Sequence, residues 1–247
     1  MNNYKSTADI KAIAKEQSLG KYGTLIGANI IILALQFFIT TFTSFSSNGS
    51  ILIFIINNLI GLIVNILLGL LVSGKAYLYM NLLYSQPVST SDIFFGMKQQ
   101  PQKAVLIQAF FAVIDFALLI PIQVILSLYQ DSFSYKSLQL LVVFVLFALI
   151  VNIAVSLIYS QAFFLLHDFP ERSARELLAT SRRLMRGNKM RFFYLNIGFI
   201  PLYILGTITL FIPILWISVY RYASVCSFYQ DLIATASASY STGTEET

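Results

Sequence analysis

Two ionisable side chains stand out because they lie inside apolar stretches of the sequence. Asp115 falls near the middle of the segment 104–128, and Arg221 falls less than halfway into the segment 214–233. A charged group at membrane depth is costly, so such a residue is by default a functional candidate with a partner. One interpretation is a polar pathway or a proton-coupled site. The alternative is structural: a buried ion pair that fixes helix register, or an arginine that reaches the outer interface.

A dense cluster of basic side chains between residues 168 and 196 is the second candidate. Its members are Arg172, Arg175, Arg182, Arg183, Arg186, Lys189 and Arg191. The arginines lie mainly off an apolar stripe at helical spacing, which predicts a surface helix over 170–187. One interpretation is binding of anionic lipid or a partner protein. The other is a cytoplasmic connector that packs on its own bundle and follows the positive-inside rule.

Local signals predict where this basic helix begins and ends. Asp168 can cap a helix that starts near Pro170, with Glu171 in the capping-box position. Gly187 and Asn188 form a stop signal. The predicted apolar stripe comprises Ala174, Leu177, Leu178, Ser181, Leu184 and Met185.

The sequence offers no catalytic constellation. His167 and Asp168 can be read as an acid–base pair, but we prefer an interfacial histidine beside a helix cap, because no nucleophile or metal partner is near. A single histidine leaves no zinc cluster, and the single cysteine, Cys226, lies in an apolar segment. No HExxH, Walker, GxSxG or dinucleotide motif occurs. We expect no enzyme activity and no cofactor or metal site. We also expect no nucleic-acid partner, since no fold motif accompanies the charge.

Composition places the chain among membrane proteins. Hydrophobic residues make up 57% of it and charged residues 11%, whereas soluble domains carry about a quarter charged residues. The apolar segments reach about the 20 residues that a bilayer needs, and the fourth is long enough to tilt. The fold class is therefore an all-α bundle of six transmembrane helices, with spans at about 22–42, 51–72, 104–128, 138–166, 192–209 and 214–233.

The distribution of positive charge predicts the orientation. Fourteen of the sixteen Lys and Arg fall before the first span, between the second and third, and between the fourth and fifth. The opposite side has only Lys136, so both termini are expected in the cytoplasm. The domains are a cytoplasmic amphipathic segment at 1–21, a membrane domain at 22–233 with surface helices near 89–100 and 170–187, and a cytoplasmic tail at 234–247, loose or a fraying helix end.

The order of elements also suggests a repeat. Three times the chain runs from a surface helix through Gly or Pro and a basic residue into an apolar hairpin. The copies begin near Asp9, Asp92 and Ala174, at a spacing of roughly 82 residues. All three have the same orientation, so the relation is parallel rather than inverted. Any array of hairpins with this topology would show a similar order.

A set of residues in the last third of the chain forms a family pattern: Asp168, Ser173-Ala174, Glu176-Leu177, Ser181, Leu184-Met185, Gly187, Lys189, Phe192-Phe193, Thr209-Leu210, Tyr220 and Phe228-Tyr229-Gln230-Asp231. With these residues the chain resembles a bacterial integral-membrane family of uncharacterised role, domain-of-unknown-function family 975. A weaker likeness extends through the amphipathic N-terminus and the segment from Ser91 to Phe95, so we expect the resemblance to cover most of the chain. The resemblance implies a several-helix membrane domain in a bacterial plasma membrane. It supplies no activity and no catalytic residues.

Two functions fit this sequence. We prefer a non-enzymatic scaffold or accessory subunit that organises anionic lipid or a membrane protein partner through the basic helix. The alternative is a small-solute or ion transporter or channel with a polar site around Asp115 and Arg221. Eight amide side chains can line such a cavity or act as interhelical hydrogen-bonding groups: Asn57, Asn58, Asn65, Gln108, Gln123, Asn152, Gln161 and Asn196.

Overall fold

The computed structural model describes residues 4–43, 51–128 and 134–244. This part consists of helices joined by turns, which confirms the all-α prediction. Five of its helical segments are long and apolar enough to cross a membrane: Tyr22–Thr41, Ile51–Leu83, Pro101–Ser127, Tyr135–Asp168 and Lys189–Ile208. The sixth expected span is not among them, so the six-span count stays a prediction. The segment 44–50, between the first two expected spans, is polar and uncharged in sequence and lies outside the described residues.

The helices follow one another as three hairpins, each preceded by a short element. In chain order they are α1 (Thr7–Ser18), α2 (Tyr22–Thr43), α3 (Ile51–Leu83), a 3-10 turn (Thr90–Phe94), α4 (Phe95–Lys98), α5 (Pro101–Leu128), α6 (Tyr135–Tyr159), α7 (Ala162–Asp168), α8 (Ala174–Leu184), α9 (Lys189–Ile197), α10 (Ile200–Ile208) and α11 (Ile212–Thr244). Because α11 continues to Thr244, the tail expected at 234–247 is helical as far as the structure describes it.

Two expected spans are interrupted. The fourth breaks at Ser160, where the next backbone N–H, that of Gln161, donates to the Ser181 hydroxyl of α8 at 3.3 Å. The fifth breaks after α9 at Gly198, and α10 begins two residues later. Both breaks turn a nominally continuous apolar segment into two shorter helices, which lets each half pack at its own angle.

Three capping boxes start the short elements. Each joins a serine to an acid three residues later: Ser6 to Asp9, Ser89 to Asp92, and Ser173 to Glu176. They recur at intervals of 83 and 84 residues, which supports the expected repeat, although the repeat itself stays a prediction. The Ser6 hydroxyl lowers the pKa of Asp9, and the Ser173 backbone N–H lowers the pKa of Glu176.

Helix α8 begins later than predicted. Its N-cap is Ser173, so the expected start near Pro170, with Asp168 as cap and Glu171 in the box, is wrong. Ser173 is the N-cap because its backbone N–H donates to Glu176 Oε2 at 2.8 Å, which completes the capping box. The box satisfies backbone N–H groups that have no partner inside the helix. Asp168 instead ends α7.

The surface helix expected over 89–100 is also different. It consists of the 3-10 turn and the single turn of α4. Ile93 is buried, Phe94 is half-buried against the core, and Met97 is exposed. The Phe95 ring stacks on Tyr77 of α3, with the two ring centroids 3.6 Å apart. The element therefore packs through the side chains of Ile93, Phe94 and Phe95 and through its backbone.

Two glycines allow this element to approach α3 closely. A Cβ atom at Gly74 would lie 1.8 Å from the carbonyl oxygen of Ile93, and one at Gly96 would lie 2.2 Å from the carbonyl oxygen of Leu70. Backbone against backbone at this spacing excludes any side chain. The contact fixes the turn against the membrane-length helix α3.

Each short element packs against the last helix of the preceding hairpin. The 3-10 turn and α4 contact α3, and α8 contacts α6 and α7. The first element closes the series, because α1 packs along α11 at the other end of the chain. All three elements lie at one end of the bundle, which we call the basic end.

The packed core lies at the basic end. Large side chains such as Tyr79, Phe164 and Tyr229 are almost fully buried there. Toward the opposite end the helices expose apolar side chains, for example Leu52, Val143 and Leu210. Such exposure is costly in water and ordinary in lipid, so the far halves of the spans are compatible with a membrane.

Candidate functional site

Four of the predicted basic residues converge on one open cavity. Arg182, Arg183, Arg186 and Lys189 line it together with Ala179, and its volume is about 510 Å³. All four charged side chains are exposed. Within the described part of the chain, none of them forms an ion pair. We call this site the basic pocket; it concentrates positive charge without an intramolecular counter-charge.

The first two arginines of the cluster lie differently. Arg175 is exposed on the same helical face, one turn before Ala179. Arg172 precedes the helix: its Nη1 donates to the Thr180 hydroxyl at 3.3 Å, and its guanidinium lies 4.5 Å from the centroid of the Phe169 ring. Arg175 therefore extends the basic pocket, and Arg172 does not line it.

The last arginine of the cluster holds the chain ends together. Arg191 donates through Nη2 to Asp231 Oδ2 and to the Lys5 carbonyl oxygen, both at 2.8 Å. Asp231, which is 5% exposed, also accepts from the Lys5 backbone N–H at 3.1 Å. The Arg191 guanidinium lies 4.4 Å from the Tyr4 ring centroid. We call Arg191, Asp231 and the Lys5 backbone the N-terminal clamp, because they join α9 and α11 to the segment before α1.

The apolar stripe of α8 faces protein. Leu177, Ser181 and Met185 are fully buried. The Ser181 hydroxyl donates to the Ile158 carbonyl oxygen at 3.2 Å. Of the two interpretations of the basic helix, packing on its own bundle therefore describes its apolar side, and only the charged side remains open to a ligand.

His167 and Asp168 face different partners. His167 Nε2 lies 2.8 Å from the Ser73 carbonyl oxygen and donates to it. Asp168 Oδ2 accepts from the Tyr229 hydroxyl at 2.5 Å. His167 Nε2 also lies 3.2 Å from the Ser73 hydroxyl. These contacts tie α7 to α3 and to α11, so both residues have structural partners.

Asp115 and Arg221 share a cavity without pairing. The Asn152 amide interacts with the Asp115 carboxylate, and Arg221 donates through Nε to the Asn196 side-chain oxygen at 3.1 Å. Among the residues that the structure describes, neither charge forms an ion pair. A cavity of about 270 Å³ between α3, α5, α6, α9 and α11 has both side chains in its wall. We call it the charged cavity.

Two neighbouring clefts share these residues. One of about 280 Å³ has Asp115 in its wall with Asn58, Asn65 and Gln123. The other, of about 500 Å³, has Arg221 in its wall. The charged cavity thus lies between two clefts that also carry polar groups.

The predicted amides divide between lining and bridging. Six of the amides line the three cavities: Asn57, Asn58, Asn65, Gln123, Asn152 and Asn196. Gln108 instead donates to Asn65 at 2.9 Å and joins α5 to α3. The Oε1 atoms of Gln123 and Gln161 are buried without a partner among the described residues. Buried acceptors of this kind are expected where water or a ligand completes the site.

Comparison with known families decides where the chain belongs. The family described as "Protein of unknown function (DUF975)" matches residues 1–236. The chain is a member of the DUF975 family. The match confirms the resemblance and covers almost the whole chain. No curated protein and no solved structure matches the chain.

In this DUF975 protein, sequence reasoning missed two contributors to the sites. The N-terminal clamp was not expected, although Asp231 ends the Phe-Tyr-Gln-Asp segment that carries the family resemblance. Ser156 lines the charged cavity and was not singled out either. Ser156 lies one helical turn after Asn152, a spacing that would have marked it.

Proposed function

We propose that this DUF975 protein is a non-enzymatic membrane scaffold or accessory subunit whose basic pocket binds the head groups of anionic lipids. The observation that carries the proposal is the set of four exposed, unpaired cations around one cavity. Arginine forks bind phosphate oxygens in pairs. Clustered basic residues beside a membrane attract anionic lipid with about 1 kcal/mol each.

The proposal includes an orientation. The protein lies in the plasma membrane of a bacterium with the basic end and both termini in the cytoplasm. Support comes from the charge distribution, since the basic residues of three connecting regions lie at one end of the bundle. Anionic lipids of the inner leaflet would then meet the basic pocket. A membrane protein partner with an acidic surface is the other partner consistent with this charge, and nucleic acid is not expected.

The test compares two variants with the same change in charge. Purified protein in neutral detergent is titrated with short-chain phosphatidylglycerol or phosphatidylcholine, and bound lipid is counted by native mass spectrometry. Replacing Arg182, Arg183 and Arg186 with Gln should weaken phosphatidylglycerol binding about a hundredfold, from about 1 kcal/mol per charge.

The matched control replaces three exposed lysines outside the pocket, Lys15, Lys98 and Lys136, with Gln. It should retain phosphatidylglycerol binding. Equal binding of both lipids by the wild-type protein, or equal loss in the two triple variants, would reject the basic pocket as the lipid site.

The second candidate function is transport of a small solute or ion. The observation that favours it is the charged cavity, where Asp115 and Arg221 share a wall without neutralising each other. A transport site must be reached by water. Asp115→Cys should therefore react with a charged thiol reagent, whereas the wild-type protein should not, because its single cysteine, Cys226, is 1% exposed. An unreactive Asp115→Cys variant would remove this candidate.

A further inference from the structure

We propose that the charged cavity binds a small zwitterion, with its ammonium group at Asp115 and its carboxylate at Arg221. The class intended is a neutral amino acid. This inference rests on the second candidate function and specifies its ligand. It starts from one juxtaposition: two unlike charges lie in the wall of one cavity, and Asn152 lies in the same wall. Arg221 also donates to the Asn196 side chain.

The unpaired state of the two charges is the first argument. Asp115 lies near the middle of α5, and Arg221 lies about 14 Å along α11 from its start, at about 1.5 Å per residue. Charges at such depth are expensive unless an opposite charge meets them. Since the protein leaves both without an ion-pair partner in the described part, a ligand with one charge of each sign satisfies both at once.

The remaining hydrogen-bonding capacity is the second argument. Arg221 uses Nε for Asn196, which leaves the two Nη groups for a carboxylate in a fork arrangement. Asp115 interacts with a single amide, that of Asn152, and a carboxylate can accept several more bonds. Its free capacity suits the three donors of an ammonium group. Ser156 adds a hydroxyl to the same wall.

Size and lining select a small molecule. The cavity has a volume of about 270 Å³, and one water occupies about 30 Å³ in the liquid, so there is space for about nine atoms other than hydrogen. That matches an amino acid of the size of leucine. Phe111, Phe163 and Val225 supply an apolar wall that suits an aliphatic side chain.

A third ionisable group, Lys75, lies near the cavity without lining it. Lys75 lies against the Tyr222 ring, with its ammonium nitrogen 4.5 Å from the ring centroid. Tyr222 lines the cavity and Lys75 does not. The cavity wall itself therefore presents one carboxylate and one guanidinium, which favours a zwitterion over a simple anion or cation.

The experiment measures binding by calorimetry to the full-length protein in nanodiscs, with probes of similar size that carry both charges or one of them. Leucine carries both charges, 4-methylpentanoate keeps only the carboxylate, and leucinamide keeps only the ammonium group. We expect saturable binding of leucine at millimolar concentrations, with each analogue at least tenfold weaker. Binding of an analogue as tight as that of leucine, or no saturable binding of leucine, would overturn the proposal.

Two substitutions assign the charges. Asp115→Asn should abolish the advantage of leucine over 4-methylpentanoate, and Arg221→Gln should abolish its advantage over leucinamide. An unchanged preference in either variant counts against the proposal. The wild-type series keeps the test valid if a variant does not fold.

Failure of this inference is distinguishable from failure of the transport candidate. If Asp115→Cys reacts with a charged thiol reagent and leucine does not bind, the ligand class is wrong and the water-accessible site stands. If Asp115→Cys is unreactive, both the transport candidate and the zwitterion site are rejected.

Discussion

Removing the carboxylate of the N-terminal clamp should destabilise the protein measurably. Asp231→Ala takes away the acceptor of Arg191 at 2.8 Å and of the Lys5 N–H at 3.1 Å. Breaking a buried pair by deleting one partner costs about 3–5 kcal/mol. The Arg191 side chain is 26% exposed, so water recovers part of its solvation and we expect the lower end, about 3 kcal/mol.

The effect is large enough for a thermal assay. For a domain of this size, about 1 kcal/mol shifts the melting temperature by about 2–4 °C, so Asp231→Ala should melt about 6–12 °C below the wild-type protein. A local readout accompanies it. Because the clamp holds the segment before α1, trypsin should cut after Lys11 and Lys15 faster in the variant.

The control removes an exposed acid on α1, the helix next to the segment that the clamp holds. Glu16→Ala should change stability by no more than about 0.5 kcal/mol, as is usual for surface positions. A double variant of Arg191 and Asp231 should be less destabilised than the two single changes summed, because the partners act together. An Asp231→Ala variant with the melting temperature of the wild-type protein and an α1 that stays resistant to trypsin would contradict a stabilising clamp.

The glycine contact and the capping box give two further predictions. Gly74→Ala should cost about 3 kcal/mol or more, because its Cβ would meet a backbone oxygen at 1.8 Å; Gly61→Ala, whose Cβ meets nothing within 4 Å, should be neutral or stabilising by up to about 1 kcal/mol. Equal melting temperatures of the two variants would show that Gly74 and the Ile93 carbonyl are not in close contact. Ser173→Ala should cost about 1 kcal/mol, with Ser173→Thr restoring most of it; equal losses in both would remove the cap as the cause.

The helices could be predicted because their signals are local. Apolar runs of membrane length gave the spans, and the 3.6-residue period from Ala174 to Met185 gave the buried side of α8. The start of that helix could not be chosen from the sequence, because Asp168 and Ser173 are each followed by a glutamate three residues later, as in a capping box. In the structure the Asp168 carboxylate accepts a hydrogen bond from the Tyr229 hydroxyl, and Ser173 caps the helix.

The break at Ser160 and the arrangement of the charges required the tertiary fold. No Gly or Pro marks Ser160, and the partner that meets the next N–H, Ser181, comes from a later helix. Sequence position gave the approximate depth of Asp115 and Arg221 along their helices. It does not determine the side of each helix on which these side chains lie. The fold places both in one cavity and leaves them apart.

The arrangement in the membrane is tested most directly by the side from which the basic pocket can be labelled. Arg182→Cys and Leu210→Cys place exposed thiols at opposite ends of the bundle, and the native Cys226 is buried and should stay silent. With a membrane-impermeant maleimide, Arg182→Cys should react in inverted vesicles and not in intact cells, and Leu210→Cys should do the reverse. Reaction of Arg182→Cys in intact cells would contradict a basic end on the cytoplasmic side.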